Sequence, residues 1–110
     1  MMPEVTSDEI GRRKFQIQKE KAVEVAVEKM RQNLGSAWRF LSASDVDALK
    51  YVLGEAWVSI ERSTWEKYAF ARLTERDVRS LAETGKNLRN RQIGEHAALE
   101  EVREILLRTL

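Results

Sequence analysis

Cysteine is absent from this chain of 110 residues, and its one proline is Pro3. Without cysteine the protein cannot form disulfides, use thiolate catalysis or hold zinc through thiolates. Proline in a helix interior costs about 3 kcal/mol, so the rest of the chain can be helical wherever its apolar spacing agrees. Long apolar runs are also lacking. The longest covers residues 68–71, whereas a membrane-spanning helix needs about 20 residues.

Charged residues are abundant but nearly balanced. The chain has 19 basic and 18 acidic side chains, a net charge of +1, so no overall field indicates a nucleic acid or a membrane surface as partner. The N-terminus has no basic segment followed by an apolar one, and we therefore expect no signal peptide. We expect a single helical domain over residues 1–110, located in the cytoplasm.

Apolar residues recur at helical spacing and the alternation typical of strands is absent, so we predict an all-α protein. The first helix is expected to begin at the capping sequence Thr6–Glu9 and to end at Leu34, before Gly35. Residues 1–10 are expected to form a mobile arm, because they lack a continuous apolar stripe. The predicted core stripe of this helix is Phe15, Ala22, Val23, Ala26, Val27, Met30 and Leu34.

The second helix is predicted to begin at an N-cap at Ser44, with acidic residues in its first turn. An unbroken core seam follows at Val46, Leu49, Leu53, Ala56 and Ile60. Beyond the seam the pattern weakens. The helix either continues to about Leu73 or breaks near Ser63, whose spacing to Glu66 makes another capping box. We favour continuation.

The last helical segment is predicted to start at Thr74–Asp77 and to reach the end of the chain. Its heptad-spaced positions are Val78, Leu81, Gly85, Leu88, Gln92, Glu95, Leu99, Val102 and Leu106. Glycine and polar residues interrupt the middle of this seam, so a split near residues 92–95 is the alternative. Three long helices with short connections, or four if the last one splits, predict an antiparallel bundle.

No set of side chains specifies a reaction. The single histidine, His96, lacks the Glu-x-x-His spacing of a dimetal site, because position 93 is isoleucine. No Gly-x-Ser-x-Gly elbow supports a hydrolase triad. Gly85 and Lys86 resemble the end of a phosphate-binding loop, but Asn87 follows in place of serine or threonine. We therefore predict that the protein is not an enzyme and holds no metal or cofactor.

The tryptophans and tyrosines are confined to residues 38–68. On a continuous helix Tyr51, Val58 and Trp65 fall at seven-residue steps, almost opposite the core seam. A helix that is apolar on two sides is either sandwiched within the fold or forms half of an interface. We favour the interface, with Arg62 as its polar anchor, since tryptophan and tyrosine are enriched at binding hot spots.

The sequence thus favours a small protein–protein interaction module, such as an adaptor, a complex subunit or a regulatory inhibitor. It would bind another protein or self-associate through its middle helix, and no membrane partner is expected. The alternative is a nucleic-acid-associated protein that contacts phosphates through a basic stripe in residues 72–89. This stripe consists of Arg72, Arg76, Arg79, Lys86 and Arg89. Glu83 interrupts it and aromatic residues are missing there, so it ranks second.

Overall fold

The structure, a computed structural model, describes residues 7–110, with side chains from residue 10 onward. These residues form five α-helices and two short 3-10 helices, with no strand among them, so the all-α prediction is confirmed. Of the predicted mobile arm, residues 1–6 lie outside the described residues, and the remainder belongs to the first turn of the first helix.

Helix α1 spans Ser7–Leu34 and is about 42 Å long at 1.5 Å per residue. It ends as predicted at Gly35, whose φ of +55° is a left-handed conformation that glycine adopts without steric cost. Phe15 differs from the prediction, because it is 42% exposed. It packs against Trp57 with 5.0 Å between ring centroids, so its ring is covered on one side. The buried members of the predicted stripe are Val23, Ala26, Val27 and Met30.

A 3-10 helix at Gly35–Phe40 leads into helix α2, Ala43–Ser59. The N-cap of α2 is Ser42, two residues before the predicted Ser44. Its hydroxyl accepts from the backbone N–H of Asp45, while the Asp45 carboxylate accepts from the Ser42 N–H. This reciprocal pair satisfies two backbone donors that the helix leaves open. The predicted seam is confirmed as core at Leu49, Leu53, Ala56 and Ile60.

The favoured continuation of this helix to Leu73 is wrong. Helix α2 ends at Ser59, and Ile60 has an extended backbone. Helix α3 follows at Arg62–Lys67, and a second 3-10 helix at Phe70–Arg72. The middle of the chain is therefore two helices joined by a turn.

Local chemistry and burial together explain this turn. Serine and threonine side chains compete with the helical backbone for hydrogen bonds, and Ser59 donates to the carbonyl of Glu55. The turn occurs before the alternative capping position Ser63, since the N-cap of α3 is Glu61. Turning the chain here brings a set of aromatic side chains into the core: Trp65, Tyr68 and Phe70.

Helix α4 spans Glu75–Arg89 and starts at the predicted position, where Thr74 and Asp77 exchange hydrogen bonds in a capping box. Helix α5 spans Glu95–Leu107. The last segment is thus split near the predicted place, and the described residues form five helices where three long ones were favoured.

Helix α2 lies at the centre of the packing. It contacts α4 most extensively and also contacts α1 and α5, while α1 packs against the 3-10 helix Phe70–Arg72. Fully buried side chains converge there from α1, α2, α4, α5 and the segment before α4. The largest of them are Met30, Leu49, Leu53, Leu73, Leu81 and Leu106. Among the helices described, none combines the length and the apolar character needed to cross a membrane.

Candidate partner-binding groove

The predicted row of Tyr51, Val58 and Trp65 does not form. Tyr51 and Val58 are 40% and 52% exposed on α2, but Trp65 is only 6% exposed. Because the chain turns at Ile60, the Trp65 side chain enters the core instead of continuing the row on α2. Trp65 therefore does not belong to the predicted apolar face of α2, and what remains of the row is two side chains seven residues apart.

Two of the predicted residues, Arg62 and Trp65, instead line a groove between α1 and the segment that follows α2. We call it the aromatic groove. It is open to solvent and has a volume of about 400 Å³. Helix α1 forms one wall, with Gln18, Lys21, Ala22, Val25, Ala26 and Lys29. The other wall consists of Trp57, Arg62, Trp65, Glu66, Tyr68 and Phe70.

The aromatic wall is built from core side chains. The ring centroids of Trp65 and Phe70 are 5.0 Å apart, and those of Tyr68 and Phe70 are 6.3 Å apart in an edge-to-face arrangement. Such pairs contribute about 0.5–1.5 kcal/mol beyond the area that they bury. All three rings are buried, so this wall is preformed before any partner arrives.

Hydrogen bonds from distant parts of the chain hold this wall in place. The backbone N–H of Ala69 donates to the hydroxyl of Thr109 at 3.1 Å, and the Arg72 guanidinium donates to the Thr109 carbonyl at 3.3 Å. The Asn33 amide donates to the carbonyl of Leu73 at 2.8 Å. The segment between α3 and α4 is therefore tied both to α1 and to the last residues of the chain.

The α1 wall presents an exposed apolar side chain between two cations. Val25 is 49% exposed, and Lys21 and Lys29 lie four residues before and after it. Residues four apart lie above one another on the same helix face. Along the groove, α1 therefore places an ammonium group, an isopropyl group and a second ammonium group in line.

Arg62 supplies a third cation from the opposite wall. The central carbon of its guanidinium lies over the Trp57 ring, 3.9 Å from the centroid, in a cation–π contact. The N–H donors of a guanidinium lie in its own plane and can bind a carboxylate in a bidentate manner. Among residues 10–110, no ion pair involves Lys21, Lys29 or Arg62. Glu66 is the one acidic residue among those that line the groove.

The residues of the predicted basic stripe do not form a row of free cations. Arg79 pairs with Glu75, and Lys86 pairs with Asp45 of α2. Arg72 donates to the Thr109 carbonyl, and the Arg89 guanidinium lies 5.6 Å from the centroid of the Tyr51 ring. Arg76 is exposed on α4, beside the cleft between α4 and α5.

No metal-binding arrangement is found in the described part of the chain, where no three histidine or acidic side chains converge. The imidazole of His96 is exposed and its Nε2 lies 3.0 Å from Glu100, the i,i+4 neighbour on α5. This contact is an ordinary pair on a helix surface.

The α1 wall of the groove was not recognised from the sequence. Val25 lies off the apolar stripe of α1, and at the sequence level Lys21 and Lys29 belong to an ordinary charged helix face. The spacing of Lys21, Val25 and Lys29 at steps of four was the available signal, but it does not show what faces it. The opposite wall comes from residues at least 28 positions away in the chain.

Comparison with known proteins adds no relative from which a function could be transferred. The sequence matches no protein-family model, and neither the curated proteins nor the solved structures include a significant match.

Proposed function

We propose that this protein is a protein-interaction module and that the aromatic groove is its partner-binding site. The observation that carries the proposal is the exposed Val25 between the unpaired Lys21 and Lys29, facing a preformed aromatic wall. An adaptor, a complex subunit and a regulatory inhibitor all act through a surface that binds another protein.

The groove is large enough to accept a few side chains of a partner. Its volume of about 400 Å³ is near the lower end of the range for ligand pockets, about 300–1,000 Å³, and one of its walls follows α1. The described residues contain no strand whose edge could bind an added strand. Binding of an amphipathic helix in a groove needs no strand edge, and we propose that a segment of the partner lies in the groove as a helix, between α1 and α3.

The basic stripe gives weaker support for a nucleic-acid function. Lys86 and Arg79 are already paired with carboxylates, which reduces the positive charge that they offer to phosphates. We therefore treat binding to duplex DNA as an outcome to be measured alongside the groove. Such binding would weaken steeply with salt, because phosphate contacts release counterions.

Two exposed valines provide a matched test of the site. Val25 lies in the groove and is 49% exposed, whereas Val58 lies on α2 and is 52% exposed. A library of random displayed peptides is selected on the purified wild-type protein, and the enriched peptides are then tested on Val25→Asp and Val58→Asp. Circular dichroism verifies that both variants are folded.

We expect the enriched peptides to bind the wild type and Val58→Asp but to lose binding to Val25→Asp. The opposite pattern would place the binding site on the α2 face and contradict the assignment to the groove. A failure to enrich any peptide whose binding depends on Val25 would contradict the proposed function.

A further inference from the structure

Resting on the proposed function, we infer that the segment bound in the groove is an acidic amphipathic α-helix of a partner protein. It would carry one row of apolar side chains, flanked on both sides by aspartate or glutamate. The groove presents three cations and one carboxylate around an apolar centre, and this charge pattern identifies the chemistry of the occupant.

The cations lie on both walls, so the complementary charges must lie on both sides of the partner's apolar row. Lys21 and Lys29 stand on the α1 wall, and Arg62 stands on the opposite wall. A partner with carboxylates on one side only would leave one wall unpaired. Long side chains pack their alkyl stems along apolar surface while the charge stays in water, so these pairs form at the rims of the groove.

The spacing of the two lysines matches the repeat of a helix. They are eight residues apart on α1, about 12 Å along the helix axis. Acidic side chains two turns apart on a second helix, at positions i and i+7, are separated by about 10.5 Å. A helix lying along α1 can therefore pair both lysines while an apolar residue between them contacts Val25.

No acidic residue from the described part of α1 lines this groove. Glu20 and Glu24 line a hollow beside Tyr51 on α2. Glu24 and Glu28 line a second hollow, to which Lys21, Val25 and Lys29 also contribute, and Glu28 accepts a hydrogen bond from Arg31, with 2.9 Å between Oε2 and Nε. Among the residues that line the groove itself, three cations face one carboxylate.

The preformed aromatic wall completes the match. Trp57, Trp65 and Phe70 are buried in the absence of a partner, so binding does not have to order their side chains. Preorganisation of this kind lowers the entropic cost of association. The apolar row of the partner would mainly cover Val25, together with the small exposed parts of Trp65 and Tyr68, which are 6% and 5% exposed.

The test uses three synthetic helical peptides of about five turns that share one row of leucines. Their flanking positions carry glutamate, glutamine or lysine. Binding to the wild-type protein is measured by calorimetry and by the fluorescence of the groove tryptophans. We expect the glutamate peptide to bind at least about tenfold more tightly than the glutamine peptide, since it alone can form ion pairs with the three cations at the rims. The preference for the glutamate peptide over the glutamine peptide should shrink as salt is added, because salt screens the ion pairs.

A charge-reversal variant gives a second, independent readout. In Lys21→Glu/Lys29→Glu we expect the preference to invert, so that the lysine peptide binds more tightly than the glutamate peptide. The matched control is Arg76→Glu/Arg91→Glu, which changes the net charge equally but alters residues outside the groove. In this control the glutamate peptide should still bind more tightly than the lysine peptide, as it does to the wild type.

The outcomes separate this inference from the proposed function. If the glutamate and glutamine peptides bind equally well, the inference that the partner helix is acidic is wrong, whereas the proposal that the groove binds peptides stands. If none of the three peptides binds but the displayed library yields peptides that depend on Val25, the helical partner is wrong and the interaction module stands. A wild-type dimer that Val25→Asp converts to a monomer would show that a second copy occupies the groove, which would also overturn the inference.

Discussion

Gly85 of α4 packs directly on the backbone of Ala48 in α2. A Cβ built on Gly85 would lie 2.2 Å from the carbonyl oxygen of Ala48, well inside van der Waals contact. The missing side chain lets the two most extensively contacting helices approach each other closely. In the sequence this glycine interrupts a heptad pattern, yet in the structure it lies against the backbone of α2.

We expect Gly85→Ala to destabilise the protein by about 2 kcal/mol or more, because the added methyl group must push α2 and α4 apart. This loss exceeds the gain of about 1 kcal/mol that alanine brings over glycine in a helix. Urea denaturation of the variant and the wild type measures the net change in the free energy of unfolding. The matched control is Gly11→Ala in α1, where nothing lies within 4 Å of the added Cβ. It should stabilise the protein by about 0.5–1 kcal/mol, and equal effects of the two substitutions would contradict this account.

The helix ends that are set by local chemistry could be predicted from the sequence. Gly35 ends α1, and the pair of Thr74 and Asp77 starts α4, because each signal acts within three or four residues. The core seam of α2 was also predictable, since its spacing directly specifies one face.

The turn after α2 could not be predicted in the same way. Its position depends on the burial of Trp65 and Phe70 against residues far away in the sequence, and helical periodicity alone did not show this. The groove depends on the same turn, since its walls come from α1 and from residues 57–70. Spacing indicates which side chains share a face, but it does not indicate what that face meets.

The corrected place of Trp65 gives a direct test of the turn. We expect Trp65→Ala to lower the free energy of unfolding by about 3–5 kcal/mol, the usual loss for a large buried aromatic side chain. Tyr51→Ala should cost less than about 1 kcal/mol, because Tyr51 is exposed and contacts Arg89 only through a distant cation–π pair. Thermal denaturation, monitored by circular dichroism, compares the stabilities of the two variants. Similar losses for both would indicate that the two residues share one environment.

The connection between α4 and α5 contains a residue in a left-handed conformation. Arg91 has a φ of +57°, which costs a residue with a Cβ roughly 1 kcal/mol or more relative to glycine. We therefore expect Arg91→Gly to raise the stability by about 0.5–1 kcal/mol. Asn90→Gly is the control, because Asn90 has an ordinary φ of −85° and gains nothing from glycine. Stabilisation by the control alone would show that the turn adopts another conformation in solution.

The contact between Asp45 and Lys86 makes stability depend on pH. The hydrogen bond from Lys86 and the backbone N–H of Ser42 lower the pKa of Asp45 from 3.8 to about 2. The unfolded chain then takes up a proton more readily than the folded protein as the pH falls. The stabilisation by Asp45 is therefore complete above about pH 5 and is lost progressively as the pH falls toward 2.

We expect Asp45→Asn to be less stable than the wild type by about 1 kcal/mol at neutral pH, since the pair is partly solvated. The difference should shrink between about pH 4 and pH 2, because there the wild-type carboxylate is also neutralised. Urea denaturation across this range measures the difference directly. Glu75→Gln serves as the matched control, because it removes a more exposed pair with Arg79 within one helix and should change stability by about 0.5 kcal/mol or less. A difference for Asp45→Asn that stays constant from neutral pH down to pH 2 would mean that the Lys86 contact does not lower the pKa of Asp45.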